Sequence, residues 1–146
     1  MKTPRKIRHE FVEFIPKDRE AGVLYVSIPY ATAVHDCFCG CGTKVVTPIS
    51  PVGWQLTFDG ESVSLAPSVG NWSFACRSHY FIRKDRVDWA GDMSDEAIAK
   101  GRTRDKAARE GHFGAPVSPP VPPKPPEPEI AKPKPRGFWS WLTGRR

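Results

Sequence analysis

No run of this chain approaches the ~20 apolar residues that cross a bilayer, and no apolar stretch follows the basic opening Met1-Lys2-Thr3-Pro4-Arg5-Lys6-Ile7-Arg8. Neither a membrane span nor a secretory signal is expected, and the location that follows is the cytoplasm. Internal repeats are lacking, which excludes solenoid and propeller architectures. His-Glu-x-x-His does not occur, nor does a His-x-Glu partner to a Cys-x-x-Cys, which argues against zincin and deaminase chemistry. Gly-x-Ser-x-Gly is missing too. Without that elbow, Ser78-His79 with Asp59 makes a poor Ser/His/Asp triad, and His79 is better spent on a metal.

Cysteine is scarce but concentrated. All four lie in two short runs, Cys37-Phe38-Cys39-Gly40-Cys41-Gly42 and Cys76-Arg77-Ser78-His79. In a reducing compartment such clusters point to metal rather than disulfides, and Cys-x-Cys neighbours rarely reach disulfide geometry with each other. Two separated turns, each giving about two soft ligands, close one tetrahedral zinc site. The candidate ligands are Cys37, Cys39, Cys41, Cys76 and His79, with His35 a sixth. The preferred set is Cys37, Cys39, Cys76 and His79, with Cys41 the substitute. Thiolate-rich ligands in surplus describe a closed, structural Zn2+ rather than a catalytic one, which keeps an open position.

Ten of the 16 prolines fall between Pro116 and Pro135. That segment can hold neither ladder nor helix, because proline lacks the backbone donor and fixes φ. A packed core is left to Phe11–Trp89. A domain of that size buries only about 60–65% of its unfolded surface, whereas a structural zinc contributes on the order of 10–16 kcal/mol. The formal charge is +6, and residues 115–146 hold six basic side chains against two acidic ones. Such a basic excess admits nucleic-acid binding, but solubilising arms explain it as well.

Short β-branched and aromatic runs predict strands at Phe11–Ile15, Val23–Ile28, Thr43–Thr47, Trp54–Phe58 and Ser62–Leu65. Asp59-Gly60 sets a hairpin with Trp54, Leu56 and Phe58 on one face beside Val63 and Leu65. Pro67-Ser68-Val69-Gly70-Asn71 reads as a turn, and Trp72-Ser73-Phe74 as an extended run into Cys76. Tyr80–Arg83 and Arg86–Trp89 form a last hairpin around Lys84-Asp85. Trp54, Trp72, Trp89 and Tyr80 are expected in the core or over the zinc. Ser94-Asp95-Glu96 opens a helix to about Arg109, frayed and mostly exposed.

The expected chain is therefore mainly β: a basic arm over 1–10, a small zinc-stabilised antiparallel sheet or sandwich-like domain over 11–90, a helix over 94–110, a disordered proline-rich linker over 111–136 and an aromatic, basic peptide over 137–146. Phe138, Trp139, Trp141 and Leu142 in that peptide suit docking to a protein partner's groove, or weak contact with a membrane surface.

Cys37-x-Cys39-Gly40-x-Gly42 resembles the opening of the SEC-C zinc motif, with Cys41 where serine is usual. More of the chain takes part in a second likeness. His35-x-Cys37-x-Cys39-Gly40-Cys41-Gly42, Val45-Val46-Thr47-Pro48, Trp54-x-Leu56, Phe58-Asp59-Gly60, Val63-Ser64-Leu65 and Gly70-Asn71-Trp72-x-Phe74-x-Cys76-Arg77-Ser78-His79-Tyr80 are similar to an uncharacterised family of small bacterial zinc-binding proteins. Members tend to be encoded beside ubiquitin-like proteins, ThiF-like activating enzymes, conjugating-enzyme-like proteins and JAB-type peptidases. The resemblance implies a zinc-binding accessory factor, a ligase-like adaptor in a ubiquitin-like conjugation or defence pathway, and the expected function is that of a non-enzymatic binding module rather than an enzyme. The alternatives from other classes are a small zinc-dependent hydrolase, with Asp36 or Asp59 as base, and a basic nucleic-acid binder.

Overall fold

The computed structural model describes residues 6–114. The first five residues, most of the proline-rich segment and the 137–146 peptide lie outside the described residues. Eight strands and one helix follow in order: β1 (Arg8–Phe11), β2 (Val23–Ser27), β3 (Thr32–Asp36), β4 (Lys44–Pro48), β5 (Gln55–Phe58), β6 (Val63–Gly70), β7 (His79–Arg83), β8 (Arg86–Trp89) and α1 (Asp95–Phe113). They form two four-stranded sheets, ordered β1-β2-β3-β4 and β5-β6-β7-β8. The mainly β architecture is as expected, with one departure: β1 runs parallel to β2, Arg8 opposite Val23 and Phe11 opposite Val26.

Alternation along the strands builds the core. Leu24, Val26, Ala33 and Val45 of the first sheet pack with Val63, Leu65, Val69, Tyr80, Ile82 and Val87 of the second. The chain's start ties the sheets together. Ile7 is buried and donates its amide to the Asp85 carbonyl at 2.8 Å, and Lys6 bridges to Arg86. Part of the expected arm is therefore built into the fold, and the first strand is Arg8–Phe11 rather than Phe11–Ile15, its Phe11 end followed by irregular chain up to Pro16.

Three other differences concern the functional region. Thr32–Asp36 is a strand that delivers the chain directly into Cys37. β6 does not stop at Leu65 but continues to Gly70, through an irregularity in its pairing with β7 between Leu65 and Val69. Pro67-Ser68 is thus part of a bulged strand rather than a free turn, since a bulge lets a strand absorb a proline. Trp72–Phe74, expected to be extended, forms turns instead: Phe74 N–H bonds Asn71 O, and Arg77 N–H bonds Phe74 O, each at 3.0 Å.

In the β5–β6 hairpin Asp59 accepts from the amides of Glu61 and Ser62 and from the Ser62 hydroxyl. Those donors hold its carboxyl down at about 2. Phe58 pairs across the hairpin with Val63 as expected, but its ring is 49% exposed and meets Phe11 edge-on. Helix α1 is capped by the Ser94 hydroxyl, which accepts from Ala97 N–H, and only Ile98 of its residues is buried. It is as exposed as its composition implied, though it runs four residues past Arg109.

Candidate functional site: a thiol cluster and a serine–histidine cleft on opposite faces of one strand

Two turns carry the cysteines. In the first, Cys37 N–H bonds Thr43 O at 2.8 Å and Gly40 N–H bonds Cys37 O at 2.9 Å, closing a loop between β3 and β4. Gly40 and Gly42 sit at φ 91° and 75°, which side chains with a Cβ rarely adopt. The tight path turns the amides of Cys39, Cys41 and Thr43 toward the sulfur two residues earlier, which favours each thiolate. In the second turn, between β6 and β7, Asn71 N–H bonds Ser78 O at 2.9 Å and Cys76 precedes Arg77 at φ 43°.

The turns meet. The sulfurs of Cys37, Cys39, Cys41 and Cys76 all lie within 4.8 Å of one another. Individual Sγ–Sγ separations are 3.3 Å for Cys37–Cys39, 3.9 Å for Cys37–Cys76 and 3.8 Å for Cys41–Cys76. A tetrahedron of ~2.3 Å metal–sulfur bonds has edges of about 3.8 Å, so the four thiols fit one such ion. None is in a disulfide. As free thiols they differ: burial pushes Cys37 up and Cys39 up to about 12, while bonds from Thr43 pull exposed Cys41 down to about 6.

Outer partners support the buried member. Ser78 Oγ lies 3.0 Å from Cys37 Sγ, and Asn71 Nδ2 donates toward the same sulfur at 3.6 Å and to Ser78 Oγ at 2.9 Å. Asn71 also donates to Tyr80 Oη, which pairs with His35 Nε2 at 2.8 Å. Such bonds orient thiolate ligands and spread their charge. His35 itself stands apart from the sulfurs, stacked on Phe38 at 4.3 Å, and burial lowers its pKa to about 3, so the ring is neutral.

His79 is not brought to the cysteines. The reason is the pleat: Ser78 and Tyr80 face inward, so His79 between them faces the other way. Its Nδ1 bonds Gly91 O at 2.8 Å, and its Nε2 lies 2.9 Å from Ser68 Oγ. A carbonyl only accepts, so Nδ1 carries the hydrogen and Nε2 is free to accept from the Ser68 hydroxyl. Ser68 reaches it because Gly70 pairs with His79 and Ser68 lies two residues away on the same face of β6. Glycine at position 70 leaves room for the Trp72 ring, since a Cβ there would meet Trp72 Nε1 at 2.4 Å. The Trp72 ring instead folds over and packs on His79, centroids 4.9 Å apart.

Ser68 and His79 line a cleft of about 330 Å³ between the second sheet and α1. Trp54, Trp72, Ile98 and Arg102 share its walls. Among the described residues the Trp54 indole N–H is buried without a partner. Sequence patterns gave no sign of Ser68, since no local motif marks it. The usable signal was the antiparallel pairing of β6 with β7 across the 71–78 turn, once β6 was extended to Gly70. Asp36 and Asp59, the bases considered for zinc chemistry, are engaged elsewhere: Asp36 pairs with Arg19 at 2.8 Å and Asp59 caps its own turn.

No curated protein and no solved structure matches the chain. Among the described residues no helix is long and apolar enough to cross a membrane. A family model does match, over residues 11–90, which takes in both cysteine turns, Ser68 and His79. The chain belongs to that family, BubE, described as the bacterial ubiquitination-like system serine protease.

Proposed function

We propose that the protein is a serine protease that cleaves peptide or isopeptide bonds made with ubiquitin-like proteins, with Ser68 as nucleophile and His79 as general base. The observation that carries this reading is the 2.9 Å contact from His79 Nε2 to Ser68 Oγ, with Nδ1 held by the Gly91 carbonyl, at the wall of a cleft. Nucleophile, base and a group that orients the base are the parts an acyl-transfer site needs. Ser68 Oγ attacks the scissile carbonyl carbon and passes its proton to Nε2. The imidazolium then protonates the leaving amine. A water deprotonated by Nε2 attacks the acyl-serine carbonyl. The bond to Oγ breaks as the imidazolium returns its proton to Ser68 Oγ, and the acyl product leaves as a carboxylic acid that ionises in water. A carbonyl in place of a carboxylate holds the tautomer but stabilises the imidazolium less.

Zinc belongs to the same proposal as a structural ion on Cys37, Cys39, Cys41 and Cys76; His79, included in the sequence-based set, is assigned to catalysis instead. When bound, the ion supplies a crosslink. The 71–78 turn carries Cys76 on one side and Trp72 on the other, so fixing the sulfur also fixes a wall of the cleft. Four thiolates leave no open position for a zinc-bound water, which weighs against the zinc hydrolase. A non-enzymatic adaptor draws on one observation, the exposed ring cluster of Phe11 and Phe58, centroids 5.2 Å apart.

The test is labelling by a fluorophosphonate probe together with hydrolysis of a ubiquitin-like protein extended at its C-terminus. The expected result is a probe adduct mapped to Ser68, and a loss of at least about a thousandfold in kcat/KM for Ser68→Ala and His79→Gln, both remaining folded. Wild-type turnover by folded Ser68→Ala overturns the proposal and leaves the adaptor.

A further inference from the structure

Helix α1 presents to the cleft a face that changes character along its length. Ala97, Ile98 and Gly101 line it near the helix start, and Arg102, Arg104 and Arg109 line it further on, with Asp105 as the single acid. Spacings of three, four and seven residues keep Ile98, Arg102, Asp105 and Arg109 on one side of a helix. The helix is anchored by buried Ile98 and, where the cationic part begins, by Arg102 donating to Ser73 Oγ at 2.9 Å. Among the described residues neither Arg102 nor Arg109 has a carboxylate within ion-pair distance. Arg104 has only the exposed contact to Asp105 at 3.8 Å, and the nearby Glu110 pairs with Lys106. The cationic part therefore has more positive charge than the protein answers.

Resting on the assignment of Ser68 and His79, we infer that this arginine face selects substrates bearing a carboxylate a few residues from the scissile bond. The helix rises about 16 Å between Ile98 and Arg109, the length of roughly five residues of extended peptide. A guanidinium presents a planar fork of donors that matches a carboxylate in two-point contact, which an ammonium cannot do. Either an acidic side chain or a chain-terminal carboxylate satisfies that fork.

The test uses alanine-rich hexapeptides that differ at one position, glutamate, glutamine or lysine, each made with a free and an amidated C-terminus. Their protection of Ser68 from the fluorophosphonate probe is measured on the full chain. Protection by the glutamate peptide at about tenfold lower concentration than by its glutamine twin, lost in Arg102→Gln/Arg109→Gln and reversed toward lysine in Arg102→Glu/Arg109→Glu, is the expected outcome. The amidated set assigns the preference to the side chain, and the free-acid glutamine peptide assigns it to the terminus. Each comparison is a ratio within one protein, so a change in labelling rate between variants does not enter it. The advantage is also expected to shrink with added salt. Equal protection by all peptides, with Ser68 still labelled, overturns this inference alone. Failure of the probe to label Ser68 overturns the protease assignment and this inference with it.

Discussion

Ser78 and His79 are consecutive residues with opposite surroundings. Ser78 is buried and touches Cys37 Sγ, within a set of thiols, amides and hydroxyls that satisfy one another. His79 is half-exposed and touches Ser68, within a cleft whose α1 arginines outnumber its one acid, Asp105. Among the described residues the first environment is closed, with His35 Nδ1 its one buried side-chain polar atom lacking a partner, whereas the second opens onto a cleft. Stability resides where polar groups are already paired, and chemistry where some are left for a ligand. The strand pleat separates the two by one residue.

The largest effect expected from breaking one side is at the thiols. Cys76→Ala, or chelation of the metal-loaded protein, is expected to abolish cooperative unfolding, read by circular dichroism with metal content in parallel. Hydrolysis falls with it, yet exchanging zinc for cadmium is expected to restore fold and rate together. A rate that follows the identity of the ion in a folded protein would make the metal catalytic and dissolve the division.

Acid tests the buried network on the inward face. Folded His35 binds its proton at about 3, below the ordinary 6.5. The unfolded chain therefore takes up a proton that the folded one refuses between those values. Stability from this group is complete above pH 6.5 and is lost as pH falls toward 3. The expected loss is on the order of a few kcal/mol across that window. Comparing chemical denaturation of wild type and His35→Gln at several pH values isolates it, because thiolate protonation affects both. Parallel pH profiles would show that His35 is not the group responsible.

The mildest change falls on the cleft. Gly70→Ala forces the Trp72 ring off its place over His79. Stability is expected to change by about 1 kcal/mol, while kcat/KM on the extended ubiquitin-like substrate falls roughly tenfold. If only melting temperature moves, Trp72 is packing and does not position the base.

Local patterns revealed much of this chain. β-Branched runs marked most of the strands, Asp59-Gly60 and Lys84-Asp85 marked hairpins, and Ser94 marked the helix start, because each depends on neighbours in sequence. The cysteine runs declared their chemistry for the same reason. Residue chemistry also favoured His79 as a ligand, being three residues from Cys76, where Cys-x2-His is common spacing. That inference failed in space because the 71–78 turn ends at Ser78, and the pleat then directs His79 outward.

By itself the sequence determined that two thiol-bearing turns exist, that a β domain lies between and around them, and that a helix follows. Only the tertiary structure decided that Cys41 joins the other three sulfurs and that His79 meets Ser68. Those pairings depend on strand register and on a bulge in β6, which are set by packing between distant segments. No spacing along the chain encodes them.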